Sequence, residues 1–221
     1  NPACPADSGL PDTDDDGTCD AHDLCPEISD PAQLDSDQDG EGDFCDRCTD
    51  AGTAISSQVK ISKLTTGGGD DKFLMKGFMV FEDPPVFDPR DYGVRILVED
   101  AAGVAVVEAD IPADSFSPVT RSGWIPLKNG GFRFRSKTLV GGAVQKVILK
   151  RTGRDPNAVA FKITGTKGSF ASPEIELPLT ASLTLNPDPE LAGVCVEMDF
   201  TGSKPDPYCS LRSGDAVVLC R

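Results

Sequence analysis

Two stretches of twelve residues carry aspartate at alternate positions. Residues 12–23 read DTDDDGTCDAHD and residues 35–46 read DSDQDGEGDFCD. Laid over each other, positions 1, 3 and 5 are Asp12, Asp14 and Asp16, then Asp35, Asp37 and Asp39. Position 6 is Gly17 and Gly40, position 9 is Asp20 and Asp43, and position 12 is Asp23 and Asp46. Carboxylates this close repel, and no packed core holds them unpaired. A hard cation that takes about six to eight oxygens removes the repulsion, and the spacing is that of a twelve-residue calcium loop. Alternate residues of a curling loop aim inward, and glycine at position 6 permits the sharp turn. Position 7 offers a backbone carbonyl, here from Thr18 and Glu41. The expected ligands are therefore Asp12, Asp14, Asp16, Thr18, Asp20 and Asp23, then Asp35, Asp37, Asp39, Glu41, Asp43 and Asp46, for at least two calcium ions. A disordered acidic tail would not repeat aspartates and a glycine at matched offsets. One departure is that position 12 is Asp, not the bidentate Glu of an EF-hand. A shorter carboxylate either weakens the site or leaves a neighbour to complete it.

An EF-hand sets helices beside its loop. Here the first loop runs into Leu24-Cys25-Pro26 and the second into Arg47-Cys48-Thr49, with no helical periodicity on either flank and a proline against continuation. The segment CPEISDPAQLDSDQDGEGDFCD instead resembles a thrombospondin type 3 repeat, whose pattern is roughly CPxxxNPxQxDxDxDGxGDxCD. Cys25, Pro26, Pro31, Gln33, Asp35, Asp37, Asp39, Gly40, Gly42, Asp43, Cys45 and Asp46 fall on it. Asp30 stands where the pattern has Asn, and the N-terminal portion is a truncated copy with an extra Cys19. The likeness covers about residues 4–48. It implies structural calcium, an irregular segment wrapped around its ions, and a bond between Cys25 and Cys45. Independently, a segment this short with so few large apolar residues cannot fold by burial, so ions and disulfides must hold it.

The net charge of −15 sits entirely in that segment: residues 1–50 hold 14 Asp, 2 Glu and one Arg, while the other 20 acidic and 20 basic residues cancel. On this sum no basic stripe exists to meet phosphates, so nucleic acid is not an expected partner. Eight cysteines point to an oxidising compartment, secreted or at the cell surface. Five lie in the arm and three near the end, both odd numbers, so full pairing needs a disulfide between the two regions. Cys48 sits at the junction. Its partner is Cys195, which shares the polar face of its strand with Glu197 and Asp199, or its rival Cys220; Cys4–Cys19 would complete the arm. No apolar run near 18 residues is present, so no membrane span is expected. The start at Asn1 fits a mature secreted protein or a piece of a longer one.

From about residue 55 turn signals recur every ten to fifteen residues, with short alternating runs between them. Ile175, Leu177, Leu179, Ala181, Leu183 and Leu185 face one way; Val159, Phe161 and Ile163, Phe132 and Phe134, and Val194, Val196, Met198 and Phe200 behave alike. About nine or ten strands follow, and the expected fold is mainly β. The arm, residues 1–50, precedes an antiparallel β-sandwich over residues 55–221, with a closed barrel as the alternative. This part is similar to uncharacterised β-domains that follow such repeats in secreted bacterial proteins, a likeness that implies no activity.

Chemistry beyond the ions is sparse. The single histidine, His22, lies inside the first loop, so a relay to a nucleophile would have to work beside an ion cage. The cysteines read as disulfides rather than zinc ligands. Asp70-Asp71, Asp88 with Asp91, and Glu174 with Glu176 are paired acids, but only as any exposed acids are. Trp124, Tyr92 and Tyr208 read as core or rim rather than a sugar platform. The expectation is a non-catalytic, extracellular, calcium-rigidified structural module of a cell-surface or matrix assembly. Its partners would be cell-surface or matrix components, or other copies of itself joined into a filament through the acidic arm. The alternative is an adhesion module that binds a glycan or peptide.

Overall fold

The computed structural model describes residues 10–35, 40, 42, 44–46, 48, 50–64, 69–170, 175–185, 194–202, 207–212 and 216–221. Twelve strands are present and no helix among the described residues. They are β1 (Asp50–Ser62), β2 (Asp71–Val80), β3 (Val94–Glu99), β4 (Ala105–Ile111), β5 (Gly123–Pro126) and β6 (Phe132–Val140). Then come β7 (Val144–Arg151), β8 (Ala158–Gly168), β9 (Thr180–Thr184), β10 (Val194–Asp199), β11 (Cys209–Arg212) and β12 (Val217–Cys220). The apolar members of the alternating runs are buried or partly buried, but in the 175–185 run only Thr180–Thr184 is strand, and Ser182 and Thr184 on its other face are buried too. Val159, Phe161, Ile163, Phe134, Leu179, Leu183, Leu185, Val196 and Phe200 are all at most 3% exposed and share one core. Trp124 belongs to that core, its indole N–H donating to the Pro112 carbonyl at 3.0 Å.

The strands form one continuous sheet in the order β4-β3-β9-β10-β1-β2-β8-β7-β6-β5, with β12 joining β1 and β11. The expected antiparallel pairing holds for every named pair but one: β1 and β10 run parallel, Asp50 against Val194 and Gly52 against Val196. The expected pair of separate sheets is therefore a single mixed sheet that curls over its own core. β1 makes the bend. It is thirteen residues long, and its register slips between Ile55 and Gln58. Its first part pairs with β10 and its last part, Val59–Ser62, with β12. A bulge of this kind raises twist and re-aims the chain, so one strand serves both halves of the sheet.

The curl brings the β6–β7 turn onto β4. At Gly141, φ is +56°, and a Cβ would lie 2.1 Å from the Glu108 carbonyl oxygen. Only glycine satisfies both the left-handed backbone and that approach. Gly141→Ala should cost about 1–3 kcal/mol, read as a lowered thermal midpoint with an unchanged far-ultraviolet spectrum below it.

Three disulfides are placed. Cys25–Cys45 closes 20 residues within the arm, Cys209–Cys220 joins β11 to β12, and Cys48–Cys195 joins the arm to β10. Cys19 is also disulfide-bonded; Cys4 lies outside the described residues. Cys195 reaches outward to the arm, as its polar-face position suggests, and it, not Cys220, is the partner of Cys48. It is fully buried, and so is Cys48 at 1% exposed, because each covers the other.

Candidate metal centre

Residues 11–17 have no regular structure, yet they alternate strictly: Asp12, Asp14 and Asp16 are half-buried and the odd positions exposed. Backbone amides hold each carboxylate by one side. Gly17 N–H donates to Asp12 Oδ2 at 3.1 Å, and Asp16 N–H to Asp14 Oδ1 at 3.1 Å. Asp23 Oδ1 accepts from Cys25 N–H and from Gln33 Nε2, both at 2.8 Å. The other oxygens, Asp12 Oδ1, Asp14 Oδ2 and Asp23 Oδ2, are buried and accept nothing. One carboxylate oxygen each of Asp12, Asp14 and Asp16 lies within 4.8 Å of the others. Bare buried carboxylate oxygens are costly, and the group Asp12, Asp14 and Asp16 could hold a hard cation.

Asp16 is held differently. Its Oδ1 accepts from Thr18 N–H at 2.7 Å and its Oδ2 from Asp30 N–H at 2.9 Å. Burial pushes its carboxyl up, but these amides, with the Thr18 hydroxyl and Gln33, outweigh burial and hold it below the usual range. Asp14 goes the other way. Burial raises it most, and the charges of Asp16, Asp23 and Asp12 add to that against the Asp16 amide. A raised folded value means that the loop gains stability from a proton in acid and loses it as pH rises past that value. Asp20 turns both oxygens to Thr13, accepting from its amide and its hydroxyl at 2.8 Å each, and so ties position 9 back to position 2. Thr18 at position 7 is buried.

In the second loop Asp37, Asp39, Glu41 and Asp43 lie outside the described residues. The parts that are described repeat the first. Gly40 N–H donates to Asp35 Oδ2 at 3.1 Å, as Gly17 does to Asp12. Cys48 N–H donates to Asp46 Oδ1 at 2.7 Å, as Cys25 does to Asp23. The two glycines have φ of +95° and +97°. A twofold match at positions 1, 6 and 12 is a match of geometry, not only of letters.

Two residues between the loops were not singled out as site residues by the spacing. Asp30 is 1% exposed; its Oδ1 accepts from Gln33 N–H at 3.1 Å and its Oδ2 is bare. Gln33 links Leu24, Asp23 and the Asp30 carbonyl through its amide. The available signal was Asp30 itself, a charge where the repeat pattern has a neutral Asn. Gly42 closes over them: a Cβ there would sit 2.8 Å from Cys25 Sγ and 3.2 Å from Asp30 Oδ2.

Comparison with protein families, curated proteins and solved structures finds no match to this chain.

The other acids are structural or exposed. Asp70 pairs with Lys63 at 2.7 Å, and Asp88 with Arg90, whose guanidinium holds its carboxyl below the usual range. Asp71 is buried and accepts from Phe170 N–H at 2.7 Å. Asp91, Glu176 and His22 are exposed; Glu174 lies outside the described residues. Tyr92 is 42% exposed with no aromatic neighbour among the described ring pairs. No helix among the described residues is long and apolar enough to cross a membrane.

Proposed function

We propose that the chain is a non-catalytic, calcium-stabilised structural module of an extracellular or cell-surface assembly. Its aspartate loops bind calcium to rigidify the arm, and the β-domain is the building block the arm projects from. The observation that carries this reading is the set of buried, unpartnered oxygens of Asp12, Asp14 and Asp23 beside Asp16. Oxygen-only donors suit calcium or magnesium, and several carboxylates converging from one chain suit calcium, because magnesium keeps most of its waters. The second loop, with Asp35 and Asp46 held in the same way, would take the second ion. The disulfides are consistent with an oxidising, extracellular setting.

Calorimetric titration of the chelator-stripped chain tests it. Two or more calcium equivalents should bind per chain. Asp14→Ala removes a charged ligand and should weaken one of them by about a hundredfold or more, beyond the typical loss for a supporting residue. Stripped protein that takes up no calcium, or an Asp14→Ala variant that titrates like its parent, would sink the reading.

A further inference from the structure

The zero net charge of residues 51–221 hides a segregation that only the strand register reveals. Along β6, Arg133, Arg135 and Lys137 alternate with the core residues Phe132 and Phe134 and so share the outer face. Register carries that face across the sheet: Arg135 lies opposite Lys146 of β7, and Lys162 of β8 lies opposite Lys76 of β2. No outward position of β2, β6, β7 or β8 is acidic; Asp71, the one acid in these four strands, points into the core. None of these cations makes an ion pair among the described residues. The expectation that no basic stripe exists is thereby corrected: the stripe runs across strands, not along the chain. The opposite half of the sheet carries Glu99, Glu108, Asp110, Glu197 and Asp199, and there Arg95 is paired with Glu108 at 2.8 Å.

Directly opposed like charges destabilise a sheet. Two such pairs, Arg135–Lys146 and Lys76–Lys162, are tolerable if an anion covers them. The face also exposes apolar groups among its charges, Phe78 at 41% and Ile55 at 47%. It runs into a cleft of about 590 Å³ lined by Arg121, Arg135 and Lys137, where Arg135 stacks on Phe116 at 4.4 Å.

We infer that this face receives the acidic arm of a second copy of the chain. The arm holds all of the net charge of −15. It exposes isolated apolar side chains among its acids, Leu10 at 56%, Leu34 at 57% and Phe44 at 64%, the same mixed texture with the sign inverted. The exposed lysines show that the described part of a copy's own arm does not cover its own face. Arm and face are different surfaces, so the contact is head-to-tail and can repeat from copy to copy. Bound calcium would fix the arm's shape while leaving it strongly anionic, so the inference rests on the structural-module reading and names the receiving surface.

The test is sedimentation velocity of the full chain in millimolar calcium at low salt, over a range of concentration, with calcium uptake measured on the same samples. The parent should form species that grow with concentration and dissociate as salt rises. The double variant Lys76→Glu, Lys146→Glu turns both repulsive cross-strand pairs into attractive ones. It should melt no lower than the parent, bind calcium equally, and sediment as the 23.3 kDa monomer. It keeps its arm, so added to the parent it should cap growing chains and lower their mean mass. Lys76→Arg, Lys146→Arg should associate like the parent. A parent that stays monomeric while binding its full calcium overturns the inference and leaves the calcium reading standing. A charge-reversed variant that associates as well as the parent also overturns it. A parent that binds no calcium counts against the calcium reading instead.

Discussion

Treated with chelator and then a protease, the chain should be cut within residues 10–46 and leave residues 50–221 whole. In millimolar calcium both parts should survive. The reason lies in what each part has to hold it. Around the loops the buried side chains are mainly Cys19, Cys25, Thr18 and Asp30, while Leu10, Ile28, Leu34 and Phe44 are exposed. Among the described residues of the arm there is no apolar core to fall back on, and the bare oxygens of Asp12, Asp14 and Asp23 would repel without a cation. Cys25–Cys45 limits the opened ensemble but cannot repair that repulsion. The β-domain buries Trp124, Phe73, Phe134 and Phe200 in a shared core and has no need of the ion. Mass spectrometry of the fragments decides the matter: equal resistance with and without calcium would separate the loops from calcium, and loss of the β-domain in chelator would make the ions essential to the whole fold.

The second large effect concerns Cys48–Cys195. It closes a separation of 147 residues, more than any other placed disulfide. On the chain-entropy account a loop of that length is worth about 5 kcal/mol through the unfolded state. Cys48→Ala with Cys195→Ala should therefore lower the urea midpoint strongly and raise the slope, because the unfolded chain becomes less compact. Removing Cys209–Cys220, which closes only 11 residues, should cost clearly less on the same account. Equal losses in the two variants would show that contacts around Cys195, not loop closure, set the stability.

The legible parts of this molecule are the local ones. The aspartate spacing is written in consecutive residues, so Gly17 and Gly40 match by sequence as they match in φ. Leu179, Leu183 and Leu185 announced a buried face by period alone; parity required a link between the two regions, and the junction position pointed to Cys48. What escaped is set by partners distant in sequence. β10 gives no sign that it runs parallel to β1, because nothing local records a neighbour so far along the chain. β11 and β12 have four residues each, too few to show a period. Cys195 looked exposed by alternation because its cover comes from another region. The cationic face was invisible for the same reason: Arg135 and Lys146 stand eleven apart in sequence, Lys76 and Lys162 far further, and only register makes neighbours of them.

The parallel pairing has a mechanical consequence. A pull on the arm reaches the β-domain at Cys48, two residues before β1 begins, and the disulfide passes it to Cys195 on β10. Both strands lie in the middle of the sheet, flanked by β9 on one side and β2 on the other. Tension is thus divided between two interior strands that point the same way. Where the pull runs along the strands, they yield only if the β1–β2 and β9–β10 ladders shear, not by peeling from an edge one bond at a time. An arm anchored like this can bear load along its length while the domain behind it keeps its shape.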